Sequence, residues 1–235
     1  MKLLNIGPKR AFKQALYEEF ARVATALANP HRLELLDLLS QREERSVDDV
    51  AAEAGLSIAN ASQHLKALRS ARLVEVRREG TFAYYRIASS EVVELWHRVR
   101  DMATARSPEV RAIVERHVGT RDEPLRDIDD LLSRVERGEL LLLDARPNEE
   151  YRSGHIPGAR LLPSGELQES FLASLDTQRD IVVYCRGPYC TFADEAVTVL
   201  RERGLRAQRL ELGVPEWRQL GFAVAVGENA GVDRG

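Results

Sequence analysis

The sequence predicts two unlike domains: a mainly α-helical N-terminal domain carrying one β-hairpin, and a C-terminal α/β domain built on a parallel sheet. Three observations support this. Apolar residues recur at three- and four-residue steps up to about residue 118, interrupted by two adjacent strand-like runs. From residue 127 onward, short apolar runs alternate with amphipathic segments, the pattern of a mainly parallel sheet covered on both faces. Between the two, residues 119–126 (GTRDEPLR) are polar, contain Gly and Pro, and have no periodicity. The expected domains are therefore 1–118 and 127–235, with 119–126 as linker.

A chain of 235 residues suits two domains, each able to bury its own core, although one domain of this size is possible. With 44% hydrophobic and 30% charged residues, disorder throughout is excluded. The net charge of −3 is uneven: residues 1–120 carry 19 Lys and Arg against 16 Asp and Glu, and residues 121–235 carry 15 against 21. A slightly basic first half fits a polyanionic partner and an acidic second half does not, but the excess is small. Asn5, Gly7, Pro8, Lys9 and Arg10 interrupt any signal-peptide core, and no stretch is apolar for long enough to span a membrane. The expected location is a reducing cytoplasm. Two cysteines, Cys185 and Cys190, rule out a secreted disulfide scaffold and lie close enough to act together.

In the first half, Phe12, Leu16, Phe20, Val23 and Leu27 define one amphipathic helix over 11–28. Asn29-Pro30 reads as an N-cap with proline at the first helical position, and Leu33, Leu36 and Leu39 face inward on the helix that follows. Ser46, with Asp49 three residues on, caps a short helix that turns Val47, Val50, Ala51 and Ala54 to one side and stops at Gly55. After the Leu56-Ser57 turn, Ser57 caps a helix over 58–70 with Ile58, Ala61, Leu65 and Leu68 expected inside. Two short helices joined by a glycine-containing turn make a helix-turn-helix. Runs 73–78 and 81–87, separated by Glu79-Gly80, make a hairpin, or wing. Helices over 90–103 and from Pro108 to about His117 complete this half, the first with Val92, Leu95, Trp96, Val99 and Met102 apolar.

The segments NPHRLELLDLL (29–39), SVDDVAAEAGLSIANASQHLKALRSARLV (46–74) and REGTFAYYRI (78–87) resemble the ArsR family of winged-helix regulators. The resemblance implies a homodimer in which the domain's first and last helices pack across a two-fold axis, bound to a double-stranded DNA operator. The residues support this separately. The 58–70 helix offers Asn60, Ser62, Gln63, His64 and Lys66 outward, with Ser57 at its start. Asn and Gln can pair with adenine edges, and Ser with base or phosphate. Arg77 and Arg78 on the wing suit phosphate or minor-groove contacts. His64 fits a DNA contact and a packed position equally well. Arg72 stands where the family usually has a helix-ending glycine, so a left-handed backbone there carries strain. Family sensors that bind metal use cysteines on the helix at 47–54, which has none here. Glu94, His97 and Asp101 share one helix face, but an ordinary solvated face is the preferred reading, so no metal and no cofactor are expected.

In the second half, Leu140–Asp144, Ile181–Tyr184, Ala207–Leu210 and Ala223–Val226 read as strands, with helices near 127–137, 165–174, 191–203 and 215–220. The segments LLLLDARPNEEY (140–151), GHIPGA (154–159), IVVYC (181–185) with the loop CRGPYC (185–190), and LGVPEWRQLGFAV (212–224) resemble the rhodanese family. The resemblance implies that Cys185 takes up a sulfane sulfur as a persulfide. Physically, Cys185 ends a buried strand ahead of a helix N-terminus. Inward-turned backbone N–H groups and the helix end favour an anion there and lower a thiol pKa. Arg186 adds a charge that suits an anionic donor, and Asp144 is carried over as a supporting residue, Arg146 less firmly. His155 is read as structural, and Glu149 and Glu150 as a solvated helix start. The loop has Pro188 where sulfurtransferases commonly have glycine, and Cys190 where they have a basic residue, so turnover with thiosulfate is expected to be poor.

Together these observations point to a transcription regulator, expected to repress, that senses reactive sulfur or redox state through Cys185 and Cys190. Its partners are expected to be DNA, a second copy of itself and a small sulfur donor (thiosulfate, persulfide or polysulfide), with no membrane. A sulfurtransferase with an appended DNA-binding domain and an arsenite or thiophilic-metal sensor are the alternatives. Cys190 is either the thiol that resolves a persulfide on Cys185 or a small filler in a degenerate loop.

Overall fold

A computed structural model of the chain describes residues 6–118, 127–162, 169–176 and 178–227. The expected linker, 119–126, lies outside the described residues. The chain divides into two compact units, Met1–Val99 and Arg100–Gly235.

The first unit contains α1 (Ile6–Leu27), α2 (Pro30–Ser40), β1 (Arg45–Ser46), α3 (Val47–Glu53), α4 (Ile58–Ser70), β2 (Val74–Glu79), β3 (Phe82–Ile87) and the start of α5 (Ser90–Arg106). Side-chain oxygens cap three of these helices as the sequence predicts: Asn29 accepts from the Arg32 N–H, Ser46 from Asp49 and Ser57 from Asn60. Each such cap stabilises its helix by about 1 kcal/mol. Gly55 ends α3 with φ +62°. Leu35, Leu36, Leu39, Val50, Ala51, Ala61, Leu65, Leu68, Val74 and Tyr85 form the core. Ile58 departs from expectation: it is 55% exposed, because it is the first residue of α4 and precedes the turn that packs. The hairpin of β2 and β3 is joined by β1 in the order β1-β3-β2. The two-residue β1, paired as Arg45↔Tyr85 and Ser46↔Tyr84, is too short to leave a periodic signal.

The second unit adds α6 (Pro108–Val118), α7 (Ile128–Glu136), β4 (Leu140–Asp144), α8 (Asn148–Ser153), β5 (Arg160–Leu161), α9 (Glu169–Ala173), β6 (Asp180–Tyr184), α10 (Thr191–Glu202), β7 (Ala207–Arg209) and α11 (Val214–Gln219). Of the helix expected over 165–174, residues 165–168 lie outside the described residues. The sheet is parallel in the order β5-β4-β6-β7. Side chains alternate across it. Leu141, Leu143, Ile181 and Val183 pack with Ala193, Val197 and Leu200 of α10, and Leu140, Leu142, Val182 and Tyr184 pack with Leu131 and Trp217 on the other face. The strand expected at Ala223–Val226 does not form. Among the described residues, its pairing is a single bridge in which His155 and Ala225 exchange main-chain bonds, both 2.9 Å. The Ala223 carbonyl is taken instead by the Trp217 indole, and Gly221 and Gly227, at φ +85° and +92°, turn the chain on either side.

Candidate functional site

In the first unit, α4 presents its polar residues opposite the buried stripe of Ala61, Leu65 and Leu68. Gln63 and Lys66 are exposed, and Asn60 and Ser62 are half-buried. Ser57 is exposed, with its oxygen already engaged by the Asn60 N–H at 3.2 Å. His64 lies closer to the buried stripe, its ring 5.4 Å from that of His31 on α2. Partial burial, then the neighbouring His31 and Arg32, hold its pKa below the ordinary imidazole value. On the wing, Arg78 is exposed. Arg77 lies over the Tyr84 ring and ion-pairs with Glu44 and Glu79, which raises its pKa. The face expected on α5 does not converge: His97 is buried, Glu94 is exposed 3.8 Å from Arg98, and Asp101 pairs with Arg100. Among the described residues, no three His, Cys, Asp or Glu side chains come together to hold a metal ion.

In the second unit, the alternation of β6 determines where Cys185 points. Following Ile181 and Val183, it belongs to the face covered by α10 and is 1% exposed. Cys190 is the N-cap residue of α10, half-buried against the same cluster. The two sulfurs are joined as a disulfide, with Cα atoms 6.1 Å apart, inside the span a disulfide accepts. Between them the loop turns at Gly187 (φ +114°), and the Cys190 N–H donates to the Gly187 carbonyl at 3.4 Å.

Three side chains from outside the loop, Glu150, Arg209 and Glu216, bond it or lie against it. Arg186 is held by the carboxylate of Glu150 through bonds of 3.0 and 2.7 Å. Glu150 is 1% exposed, which corrects its reading as a solvated helix start: the third helical position of α8 faces the loop rather than solvent. Arg209 donates to the Gly187 and Cys190 carbonyls. Glu216 accepts from the Gly213 N–H at 3.0 Å and from Arg100 at 2.7 Å. Burial opposes the Arg100 charge most strongly, but the Glu216 and Asp101 carboxylates together raise the Arg100 pKa. Asp144 is fully buried, pairs with Arg146 at 2.7 Å and accepts from the Tyr184 hydroxyl at 2.6 Å. Tyr184 immediately precedes Cys185, so Asp144 and Arg146 support the strand end from the opposite sheet face. Burial and then the Asp144 charge push the Tyr184 pKa well up, so the phenol stays a donor. His155 is buried, its Nδ1 bonded to the Tyr151 carbonyl and its ring stacked on Tyr151 at 3.9 Å.

Glu150, Arg209 and Glu216 were missed in the sequence. Glu150 and Glu216 sit within the motif segments 140–151 and 212–224, so those segments held the signal; Arg209 lies in none.

A helix-turn-helix with a wing, followed in one chain by a parallel sheet whose central strand ends in a cysteine loop, defines a DNA-binding regulator with a rhodanese-like second domain. Residues 27–77 match the helix-turn-helix domain family and residues 127–220 the rhodanese-like domain family. Over 219 residues the chain is 44% identical to the HTH-type transcriptional regulator Rv0324 of Mycobacterium tuberculosis, covering 93% of this chain and 96% of that protein. It is 40% identical over 84 residues to the transcriptional repressor SmtB homolog of Synechocystis sp., covering 36% of this chain and 63% of the relative. A solved structure of the homodimeric winged helix-turn-helix DNA-binding domain of Mb0332 from Mycobacterium bovis, a possible ArsR-family regulator, is 46% identical, covers 41% of this chain and 89% of its own, and superposes with a TM-score of 0.39. The chain belongs to the ArsR-type winged helix-turn-helix transcriptional regulators that carry a rhodanese-like domain.

Proposed function

We propose that this regulator is a dimeric, cytoplasmic repressor whose rhodanese-like domain senses reactive sulfur through Cys185 and Cys190. The observation that carries this reading is the pairing of Cys185 with Cys190 across a six-residue loop, on a chain that also bears a DNA-reading helix. Cys185 takes a sulfane sulfur from a persulfide, polysulfide or thiosulfate donor. Cys190 then attacks that sulfur chain and expels its terminal sulfur as sulfide, closing a disulfide, or a polysulfide bridge where the donor left more than one sulfur, and a neutral link replaces two thiolates. Such a change can bias a two-state element and so DNA affinity. The sulfurtransferase reading has less support, because Cys190 replaces a loop cation and Arg186 is engaged by Glu150.

Dimerisation is supported by the exposed apolar residues of α1, Phe12 (66%), Tyr17 (68%) and Phe20 (61%), on a face that a second copy would cover, and by the homodimer reported for the M. bovis domain. Asn60, Ser62, Gln63 and Lys66 then face the operator's major groove, with Ser57 and the wing residues Arg77 and Arg78 at its phosphates.

The deciding experiment compares operator binding by the reduced chain and by the same chain after polysulfide treatment. The reading expects affinities that differ by tenfold or more, about 1.4 kcal/mol, and a treated species in which both thiols resist alkylation. Equal affinities with both cysteines modified would remove the sensing role. Repeated turnover of thiosulfate and cyanide would favour the enzyme.

A further inference from the structure

The loop has a cysteine at its sixth position, where rhodanese-like sulfurtransferases commonly carry a basic residue, yet a cation reaches that end of the loop from elsewhere in the fold. Arg209 is the last residue of β7, and its side chain is 8% exposed. One guanidinium nitrogen donates to the Cys190 carbonyl at 2.7 Å and the other to the Gly187 carbonyl at 2.7 Å. The first also pairs with Asp194, in the first turn of α10. A single planar fork therefore holds the third and sixth residues of the loop by their main chain, independently of any loop side chain. The trans peptide after Cys190 places the Thr191 N–H on the side opposite the clamped carbonyl. Among the described residues, charged groups at the loop include Arg209 and Asp194 at the Cys190 end, Arg186 and Glu150 at the Cys185 end, Glu216, with Arg100 bound to it, at Gly187, and Asp101 and Glu211, which line a cavity with Pro188 and Tyr189.

We propose that Arg209 is the positioning residue for the resolving thiol: it clamps the main chain of Cys190 within reach of Cys185. This rests on the sulfur-sensing reading and assigns Arg209 to its second step alone. In the first step the Cys185 thiolate attacks the terminal sulfur of an organic persulfide, R–S–SH. The sulfur–sulfur bond of the donor breaks, R–S⁻ leaves, and Cys185 becomes a persulfide. In the second step the Cys190 thiolate attacks the Cys185 sulfur, forming the disulfide and expelling the outer sulfur as HS⁻. The two protein thiolates lose two electrons, and the sulfane sulfur gains them. The donor is the oxidant, and no other is needed. A misplaced Cys190 leaves the first step intact and slows the second.

The test uses the full chain with an organic persulfide, following Cys185 persulfide by intact mass and sulfide release by a colorimetric probe, for the parent, Arg209→Gln and Arg209→Lys. Arg209→Gln is expected to form the Cys185 persulfide at the parent rate and to release sulfide at least about tenfold more slowly. Arg209→Lys keeps the cation but loses the fork, so it too should slow sulfide release. A purely structural strut would lower the unfolding midpoint and leave the second step unchanged in folded protein, and that result overturns the proposal. Should Arg209→Gln fail to unfold cooperatively, Arg209→Lys decides alone: parent-like sulfide release overturns the clamp, and slowed release with normal persulfide formation supports it. If the parent itself forms no persulfide, the sensing reading fails first, a result distinct from all of these.

Discussion

Arg186 Nε and Nη2 donate to the two carboxylate oxygens of Glu150 at 3.0 and 2.7 Å, so the loop's own cation faces a buried anion before any donor arrives. A dianion such as thiosulfate therefore meets a locally compensated charge, whereas a neutral donor is indifferent to it. Glu150→Gln keeps the volume and an acceptor for Arg186 while removing the negative charge. We expect the rate of Cys185 modification by thiosulfate, with sulfite leaving, to rise on the order of tenfold, as for one charge a few ångströms away in a partly shielded site. The rate with a neutral organic trisulfide should change little. Equal effects on both donors, read by mass spectrometry, would mean that Glu150 acts by shape and not by charge.

The loop also depends on a close main-chain approach. A Cβ placed on Gly213 would lie 2.8 Å from the Arg186 carbonyl carbon and the Gly187 nitrogen, and 3.0 Å from the Cys185 oxygen. All three are backbone atoms, which cannot rotate away. Gly213→Ala is expected to displace the loop, to slow closure between Cys185 and Cys190 by about tenfold or more, and to leave operator binding by the reduced chain unaltered. Thiol trapping after persulfide treatment measures the first effect and a mobility shift the second. Closure at the parent rate would show that the loop accommodates the methyl group.

How much of this was legible in the sequence varies with the range of the interaction. The caps at Asn29, Ser46 and Ser57 were readable because each bond spans three residues. The parallel sheet was readable because Leu140–Asp144 and Asp180–Tyr184 are apolar on both faces. Cys185 was identified by its place at a strand end. Its surroundings were not: Arg209 contacts residues 19 and 22 positions away and Glu150 bonds one 36 away. Nothing local distinguishes Arg209 from a solvated charge, and for Glu150 the one local sign is its place in the 140–151 motif segment. The expected strand at 223–226 failed for the opposite reason, since its apolar residues bind Trp217 and one bridge partner and not a ladder.

Arg72 shows a local expectation surviving intact. Its φ is +59°, the one positive value among the described non-glycine residues, at the turn between α4 and β2. A left-handed backbone costs an L-residue about 1–2 kcal/mol, and glycine escapes most of that at some entropic cost. Arg72→Gly should therefore stabilise the first unit by about 0.5–1 kcal/mol in chemical denaturation. A loss of stability would indicate that the Arg72 side chain contributes more than its backbone costs.

Asp144 and Tyr184 separate a buried ion pair from a buried hydrogen bond at one place. Asp144 accepts from Arg146 and from the Tyr184 hydroxyl, which in turn accepts from the Ile156 N–H at 3.1 Å. Asp144→Ala strands the Arg146 guanidinium where its side chain has no exposed surface, a loss of about 3–5 kcal/mol. Tyr184→Phe leaves the Asp144–Arg146 pair standing and removes one donor and one acceptor, a loss of about 1–3 kcal/mol. The two tryptophans divide between the units, Trp96 in the first and Trp217 in the second, so fluorescence in a Trp96→Phe background reports the second unit alone. In denaturant titrations the midpoint should fall further for Asp144→Ala than for Tyr184→Phe. The reverse order would mean that the Arg146 charge is satisfied without Asp144. Because Tyr184 leads directly into Cys185, both variants should also slow persulfide formation, in the same order as their stability losses. If Asp144→Ala abolished that step while Tyr184→Phe left it untouched, Asp144 would act on the sulfur chemistry by a route other than Tyr184.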